Sequence, residues 1–448
     1  DSNVVGDKGL IPVPEPPRVG NRTQIDAFAA KRIRDAWKRW VKKGVCTLCG
    51  RYSFKDLQKR ILRSTAADGE IFIHLVVGGR AGNEFGFALE VLESELLDET
   101  YNDNLRNGNV IRMGVELNKN RRAVAYHFFK HNPYDLTFSS ADGRRHERRR
   151  IPADLVIHCQ YAPEQRPGQT RSVTWFKRVG KHVHQLHDYR QSEAGAARLG
   201  AAKAGFYVAT GDGEFDGDSS EVTDDAFVQE IEPNTFEIVP EGYKVEKWDP
   251  DHPSTAFEAF DKSGVRTIAS GLGLLFYPTL GADLQGTSYG SLRGGALEER
   301  AYYRELQQWL IQECGLEDKI YPMWLENAIL HGEIRVAADQ DIERLKVHRW
   351  QARGWQWIDP QKEAAGNAQG LANKTRLISD ILAETSGRTI DDHIEALDAE
   401  RKKFQSRGFE HPADAPAPGG EQPARPVEDG DDDEGLEEEG ELGEEDDQ

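Results

Sequence analysis

Between Ser254 and His331 the chain reads as a helix, a glycine-rich break and a longer helix. Phe257, Phe260, Gly264, Ile268, Leu272 and Leu275 recur at steps of three or four, so one face of that first helix is apolar or small. Asp249, Pro250 and Pro253 punctuate its start with Ser254 as N-cap, and Gly271, Gly273 and Pro278 weaken its end. Residues 280–290 are too polar and glycine-rich to remain helical. From Ser291 the pattern resumes with Leu292, Ala296, Leu297, Tyr303, Leu306, Trp309 and Leu310, and runs on toward Trp324 and Ile329 with a kink expected at Pro322. Two long rods joined by a polar link do not enclose a pocket; they form a wall.

The rest of the composition limits what the wall belongs to. With 448 residues the chain is long enough for two or three domains. No run of about 18 apolar residues exists, which argues against a helical membrane span. No secretory signal is visible, and with Asp1 first and methionine only at positions 113 and 323, a processed chain or an absent beginning is expected. The net charge of −20 is concentrated: residues 411–448 hold sixteen acids and one base, or −15, leaving −5 for the other 410 residues. Acidic runs such as Asp431 to Glu434 bury no apolar surface, so this tail is expected to be disordered, solubilising or a mimic of nucleic acid on basic partners. Four cysteines exclude a disulfide scaffold and suit a reducing compartment.

Taken in order, residues 5–19 are rich in proline and glycine and extended. Residues 21–43 read as an amphipathic helix with Ile25, Phe28 or Ala29, Ile33, Trp37 and Trp40 or Val41 on one side and bases on the other. Residues 53–63 form a second helix, capped by Ser53 with Asp56 three residues on. The period then changes to two, giving strands at 70–77, 87–92, 110–117, 123–130 and 155–160, an antiparallel sheet or small barrel. Residues 182–206 return to a thin, alanine-rich helix. Residues 210–252 form an acidic insert with short strands around 236–239 and 243–248, turned by Pro240 to Gly242, held at one end of two antiparallel helices. Residues 347–358 carry Trp350, Trp355 and Trp357 back to the sheet, and helices follow through 364–373, 375–384 and 390–404, with Gly387 as a break.

Catalytic constellations are absent from the sequence. Gly78 to Gly86 is glycine-rich but lacks the lysine and hydroxyl of a phosphate loop, and HExxH does not occur. Asp212, Glu214 and Asp216 start like a calcium loop, but position twelve is Thr223 where a bidentate glutamate belongs. His184 and His187 share a helical face, and a polar helix start explains them better than a metal. No cofactor is expected. Cys46 and Cys49 have CxxC spacing, but they follow a basic helix rather than a thioredoxin-like strand and have no second pair for zinc. A thiol oxidoreductase and a nucleic-acid binder using the basic face of 21–43 are the rival readings.

Motifs in order across residues 3–405 carry a resemblance to the portal proteins of tailed phages, lambda type. They include Asn3 to Pro12, Asp68 to Phe72, Gly114 to Leu117 with Ala125 to His127, Asn132-Pro133, Ile151 to Ala153 with Val156 to His158, and Gln169 to Arg171. Glu232 to Ile238 with Pro240 to Gly242, Tyr289 to Ser291 and Trp355 to Lys362 continue the series. Tyr-Gly-Ser stands where the family more often has Tyr-Ser-Ser, the usual upstream helical segment is not seen, and the acidic tail is not a family feature.

The resemblance implies an α+β portal fold. Its parts would be a β-rich wing with N-terminal helices (1–181), stem helices at 182–209 and 254–279, and a small α/β clip at 210–253. A tunnel loop (280–290), a long kinked wing helix (291–332), wing return strands (333–359), crown helices (360–410) and the acidic tail (411–448) complete it. It implies a non-enzymatic ring, usually of twelve subunits, at one capsid vertex of the virion, assembled in the bacterial cytoplasm. Double-stranded DNA would be packaged through it by the terminase large subunit and later ejected. The other expected partners are the major capsid and scaffold proteins and the head-tail adaptors. Lys262, Arg266, Asp283, Gln285, Thr287 and Arg293 are the expected channel and tunnel-loop residues; Phe236, Glu237, Ile238, Tyr243 and Trp248 are the expected clip contacts. Lys262 and Arg266 are placed toward the lumen because they sit off the apolar face of their helix. The sparse bases of a mildly acidic body suit a channel in which DNA slides better than a protein that grips it.

Overall fold

The computed structural model describes residues 1–19, 21–132, 147–161, 166, 168–202, 205–209, 243–247, 257–274, 288–336, 341–355, 360–386 and 389–414. The chain divides into two compact units, Asp1–Thr389 and Ile390–Gln448. The fold is a mixed α+β one, as expected.

The first unit begins with β1 (Ile11–Pro14), then β2 (Pro17–Arg18) paired with β3 (Asn21–Ile25). The helix expected from residue 21 therefore starts later, as α1 (Ala27–Trp40), where Asp26 accepts a cap hydrogen bond from Ala29 N. Ile25 and Phe28 fit the helical spacing but are 54% and 72% exposed; the buried stripe is Ala30, Ile33, Ala36, Trp37 and Trp40. α2 (Phe54–Asp68) carries the expected capping box of Ser53 and Asp56 and ends on Gly69 at φ +91°.

β4 (Glu70–Val77) pairs antiparallel with β5 (Phe87–Leu92). A second sheet is built from β6 (Asp103–Asn104), β7 (Val110–Arg112), β8 (Val115–Leu117), β9 (Ala123–Phe129) and β10 (Arg148–Pro152) in meander order. The single strand expected over 110–117 is thus two, folded about Met113 (φ 50°) and Gly114 (φ 82°). A Cβ on Gly114 would lie 2.7 Å from the Asp98 carbonyl oxygen, so only glycine fits. β11 (Val156–Gln160) completes the first sheet beside β4. Strand alternation then decides the cores: Ile71, Ile73 and Leu75 of β4 face the helices, while Phe72 joins Leu92, Val115, Tyr126, Phe128 and Ile151 in a second cluster.

α3 (Gly180–Ala202) is followed by β12 (Gly205–Ala209), so Phe206 lies in a strand rather than at a helix end. β12 pairs with β13 (Tyr243–Lys247), and α4 (Phe257–Gly271) follows. The sheet of the insert thus uses residues ahead of 210, and the expected strand at 236–239 lies outside the described residues.

α5 (Tyr289–Gln312) gives way to a π-helical turn, Leu316–Ile320, and α6 (Tyr321–Leu330). The break is at Gly315 (φ 62°), not at Pro322, which occupies the first turn of α6 where no backbone donor is needed. α6 seats Tyr321 and Trp324 against α1: Trp37 and Trp324 have ring centroids 4.7 Å apart, edge to face. Trp40 donates its indole N–H to the Phe87 carbonyl at 2.9 Å, tying that cluster to the sheet. β14 (His348–Gln351) returns to β1 rather than to the main sheet. α7 (Pro360–Ala372) and α8 (Ile378–Thr385) end this unit.

The second unit's described part is α9 (Ile390–Gln405) and a short turn, Pro412–Asp414, held by Arg401 to Asp414 at 2.5 Å. Residues 415–448, with most of the acidic tail, lie outside the described residues. Among the described helices none is long and apolar enough to cross a membrane.

Candidate functional site

α3 and α4 run antiparallel and meet over small residues. Val179 stands against Gly271, Leu186 against Gly264, and Tyr189 stacks on Phe257 (5.7 Å between centroids) and tilts over Phe260 (4.5 Å). A Cβ on Gly264 would sit 2.9 Å from Leu186 Cδ1, and one on Gly271 would run into Val179. The glycines therefore set the helix separation. Arg190 locks the pair with two bonds to Asp261, at 2.5 and 2.8 Å.

Lys262 and Arg266 flank Gly264 by two residues on either side. At about 100° per residue each is turned roughly 160° away from it, so both leave the contact with α3. Lys262 Nζ is 2.6 Å from Glu258 Oε1 one turn earlier, and Arg266 is exposed. The outward face of α4 thus sets one acid, Glu258, ahead of the bases Lys262 and Arg266 rather than being a bare cationic stripe.

Both helices are sparsely buried. Leu186 is the buried residue of α3 among its described side chains, and Ala269 that of α4. A 23-residue helix so little covered draws scant support from its own chain, since helices in proteins rest mostly on tertiary packing.

Of the remaining expected site residues, Arg293 and Tyr243 are among the described ones. Arg293, on α5, lines a different cavity of about 370 Å³ with Arg300, Arg304, Trp355, Lys362 and Arg376. Sequence reading missed that cluster, although Arg293, Arg300 and Arg304 are seven and four residues apart, on one face of α5. Lys362 and Arg376 arrive from α7 and from just ahead of α8, which no local spacing shows. Asp283, Gln285, Thr287, Phe236, Glu237, Ile238 and Trp248 lie outside the described residues. Tyr243 opens β13 opposite Ala209.

The rival sites are differently placed. Cys46 is fully buried, with Sγ 3.5 Å from the Tyr52 carbonyl oxygen and 3.7 Å from that of Val41. Burial pushes its thiol up to about 12, away from the thiolate that redox chemistry uses. On the basic face of α1, Arg39 is held by Glu333 at 2.7 Å and Glu84 at 3.3 Å. His182, His184 and His187 are exposed on α3, and no three candidate ligands gather around a metal position among the described residues.

Comparison with known proteins fits the wall better than any of these. A family model described as phage portal protein, lambda family, matches residues 1–307. A probable portal protein of Halomonas phage phiHAP-1 is 34% identical over 383 residues, covering 85% of this chain and 72% of that protein. Among solved structures, a chain of the virion of a native gene transfer agent particle overlaps 86% of this chain and 87% of its own at 12% identity and a TM-score of 0.39. A chain from the neck of the native particle, computed with C12 symmetry, overlaps 80% and 91% at 13% identity and a TM-score of 0.37. The sequence matches decide the matter: this chain belongs to the lambda family of phage portal proteins, structural proteins of the virion.

Proposed function

We propose that the chain is the subunit of a ring, twelve-membered by family resemblance, at one capsid vertex. Double-stranded DNA is packed through it by the terminase large subunit and leaves through it on ejection. The observation that carries this reading is the antiparallel α3–α4 pair, locked internally by Arg190 and Asp261 yet almost uncovered by its own chain. Neighbouring copies supply the missing cover when the subunits close, and closed symmetry repeats every lumen residue as a belt.

In this assignment the two sheets and α1, α2, α5 and α6 form the wing and α3 and α4 the stem. Residues 210–253 form the clip, and 360–410 the crown. The clip, with Phe236, Glu237, Ile238, Tyr243 and Trp248, meets terminase and later the head-tail adaptors, while the wing meets capsid and scaffold proteins. Residues 280–290 form the tunnel loop, with Asp283, Gln285 and Thr287 toward DNA. Glu258, Lys262 and Arg266 give the lumen mixed charge, which lets a polyanion slide. Arg293 stays in the proposed lumen set, although it also lines the cavity with Arg300 and Arg304. The test is the double substitution Lys262→Glu with Arg266→Glu. Rings still assemble while packaging or DNA retention falls; packaging equal to wild type would refute the lumen role.

A further inference from the structure

Gln351 ends β14 only 4% exposed, yet among the described residues neither Nε2 nor Oε1 of its side chain has a hydrogen-bond partner. It lines a cleft of about 480 Å³ with Lys8, Arg300, Arg353 and Trp355, whose indole Nε1 is also buried and unpartnered. Buried polar groups are costly to leave unpaired, and native folds rarely keep them so without a use. Elsewhere this chain shows what such an amide holds. Gln58 accepts from Leu10 N at 2.8 Å and donates to Leu10 O at 2.9 Å, gripping both ends of one residue's backbone. Gln307 Nε2 donates to the carbonyls of Val4 (2.8 Å) and Arg353 (3.0 Å). A peptide backbone is the group that offers Gln351 an acceptor and a donor together.

The charge of the cleft narrows the choice. Lys8 Nζ donates to the Ser386 carbonyl at 3.0 Å, and Arg353 to the Ser2 carbonyl and Asn3 Oδ1, all neutral oxygens. Arg300 and Trp355 also line the adjoining 370 Å³ cavity with Arg293, Arg304, Lys362 and Arg376. Among the described residues lining both, seven cations stand with three acids, Asp7, Glu363 and Glu384, in a chain of net charge −20. The walls are fixed elements: a Cβ on Gly354 would collide with the Glu384 carbonyl oxygen at the end of α8.

We propose that this cleft binds an extended acidic peptide, its backbone held by Gln351 and Trp355 Nε1 and its carboxylates by Lys8, Arg300 and Arg353. The probe is fluorescein-labelled hexaglutamate, titrated by anisotropy into the purified full-length protein, with hexaserine as control. Saturable, salt-weakened binding is expected for hexaglutamate alone. Gln351→Leu should weaken it about tenfold or more at an unchanged or higher melting temperature, because the amide removed had no partner. Trp355→Phe, which takes away the indole N–H while keeping an aromatic ring, is the second variant and should weaken it in the same direction. A chain ending at residue 427 distinguishes the sources. Tighter binding there makes residues 428–448 the natural occupant; equal binding makes it an acidic segment of another protein. Affinity no better than for hexaserine, affinity unchanged in both variants, or displacement by an oligothymidylate at lower concentration overturns the proposal.

Discussion

Arg150 Nε lies 2.7 Å from Oε2 of Glu116, a carboxylate whose side chain is 2% exposed. Its neighbours in β10 behave alike: Arg148 reaches Asp98 at 2.5 Å, and Arg149 turns to the opposite face to reach Glu90 of the other sheet at 2.9 Å. Strand alternation therefore makes one basic run serve two sheets. The hydrogen bond from Arg150, outweighing burial, holds the Glu116 carboxyl down at about 2 against an ordinary 4.5. For Glu90 and Asp98 burial pushes upward, and the bonds from His74 with Arg149, and from Thr100 with Arg148, more than offset it.

A depressed carboxyl stabilises the fold above its unfolded value, and that contribution disappears as pH falls from about 4.5 through about 2. For Glu116 it is on the order of 3 kcal/mol at neutral pH. Urea unfolding between pH 6 and 2 should thus show a steep acid loss in wild type. Glu116→Gln should be less stable at pH 7 and flatter over the acid range; an identical slope would contradict the pairing.

Gly271 is where α4 touches Val179 most closely. Gly271→Leu should splay α3 from α4, abolishing or weakening the proposed ring assembly while the core around Trp37 and Trp324, which lies elsewhere, still melts cooperatively. Sedimentation together with near-ultraviolet circular dichroism reads both. Rings at wild-type yield would mean the glycine contact is dispensable.

Gly69 caps α2 at φ +91°, and a Cβ there would collide with the Val173 backbone. Gly69→Ala combines left-handed strain with that clash, so a loss of about 2–4 kcal/mol is expected in denaturant unfolding.

Cys49→Ser should leave DNA packaging unchanged, because Cys49 is exposed and its CxxC partner is a deeply buried thiol. Cys46→Ser should cost roughly 1–3 kcal/mol, from a polar hydroxyl placed in a full core, again without selective loss of function. Equal loss of packaging in both variants at unchanged stability would revive the redox reading.

Much of the two sheets and of α2 was legible because period-two runs such as 70–77 and the Ser53–Asp56 box act locally. The apolar face that α4 turns to α3 was legible from Phe257, Phe260 and Gly264 at helical spacing. The failures have common causes. Ile25 and Phe28 fit a helical stripe, but pairing of β3 with β2 and the Asp26 cap begin the helix later. Pro322 drew the kink away from Gly315, whose positive φ no spacing rule shows. The basic cavity joins Arg293 to Arg376 across 83 positions, so only the fold assembles it.

The measurement that bears most directly on the central claim is electron cryomicroscopy of the purified protein. Closed rings are expected, with α4 of every subunit on the inner wall and Lys262 and Arg266 toward the axis. Compact monomers under all conditions tried, or rings with α4 on the outer wall, would contradict the account.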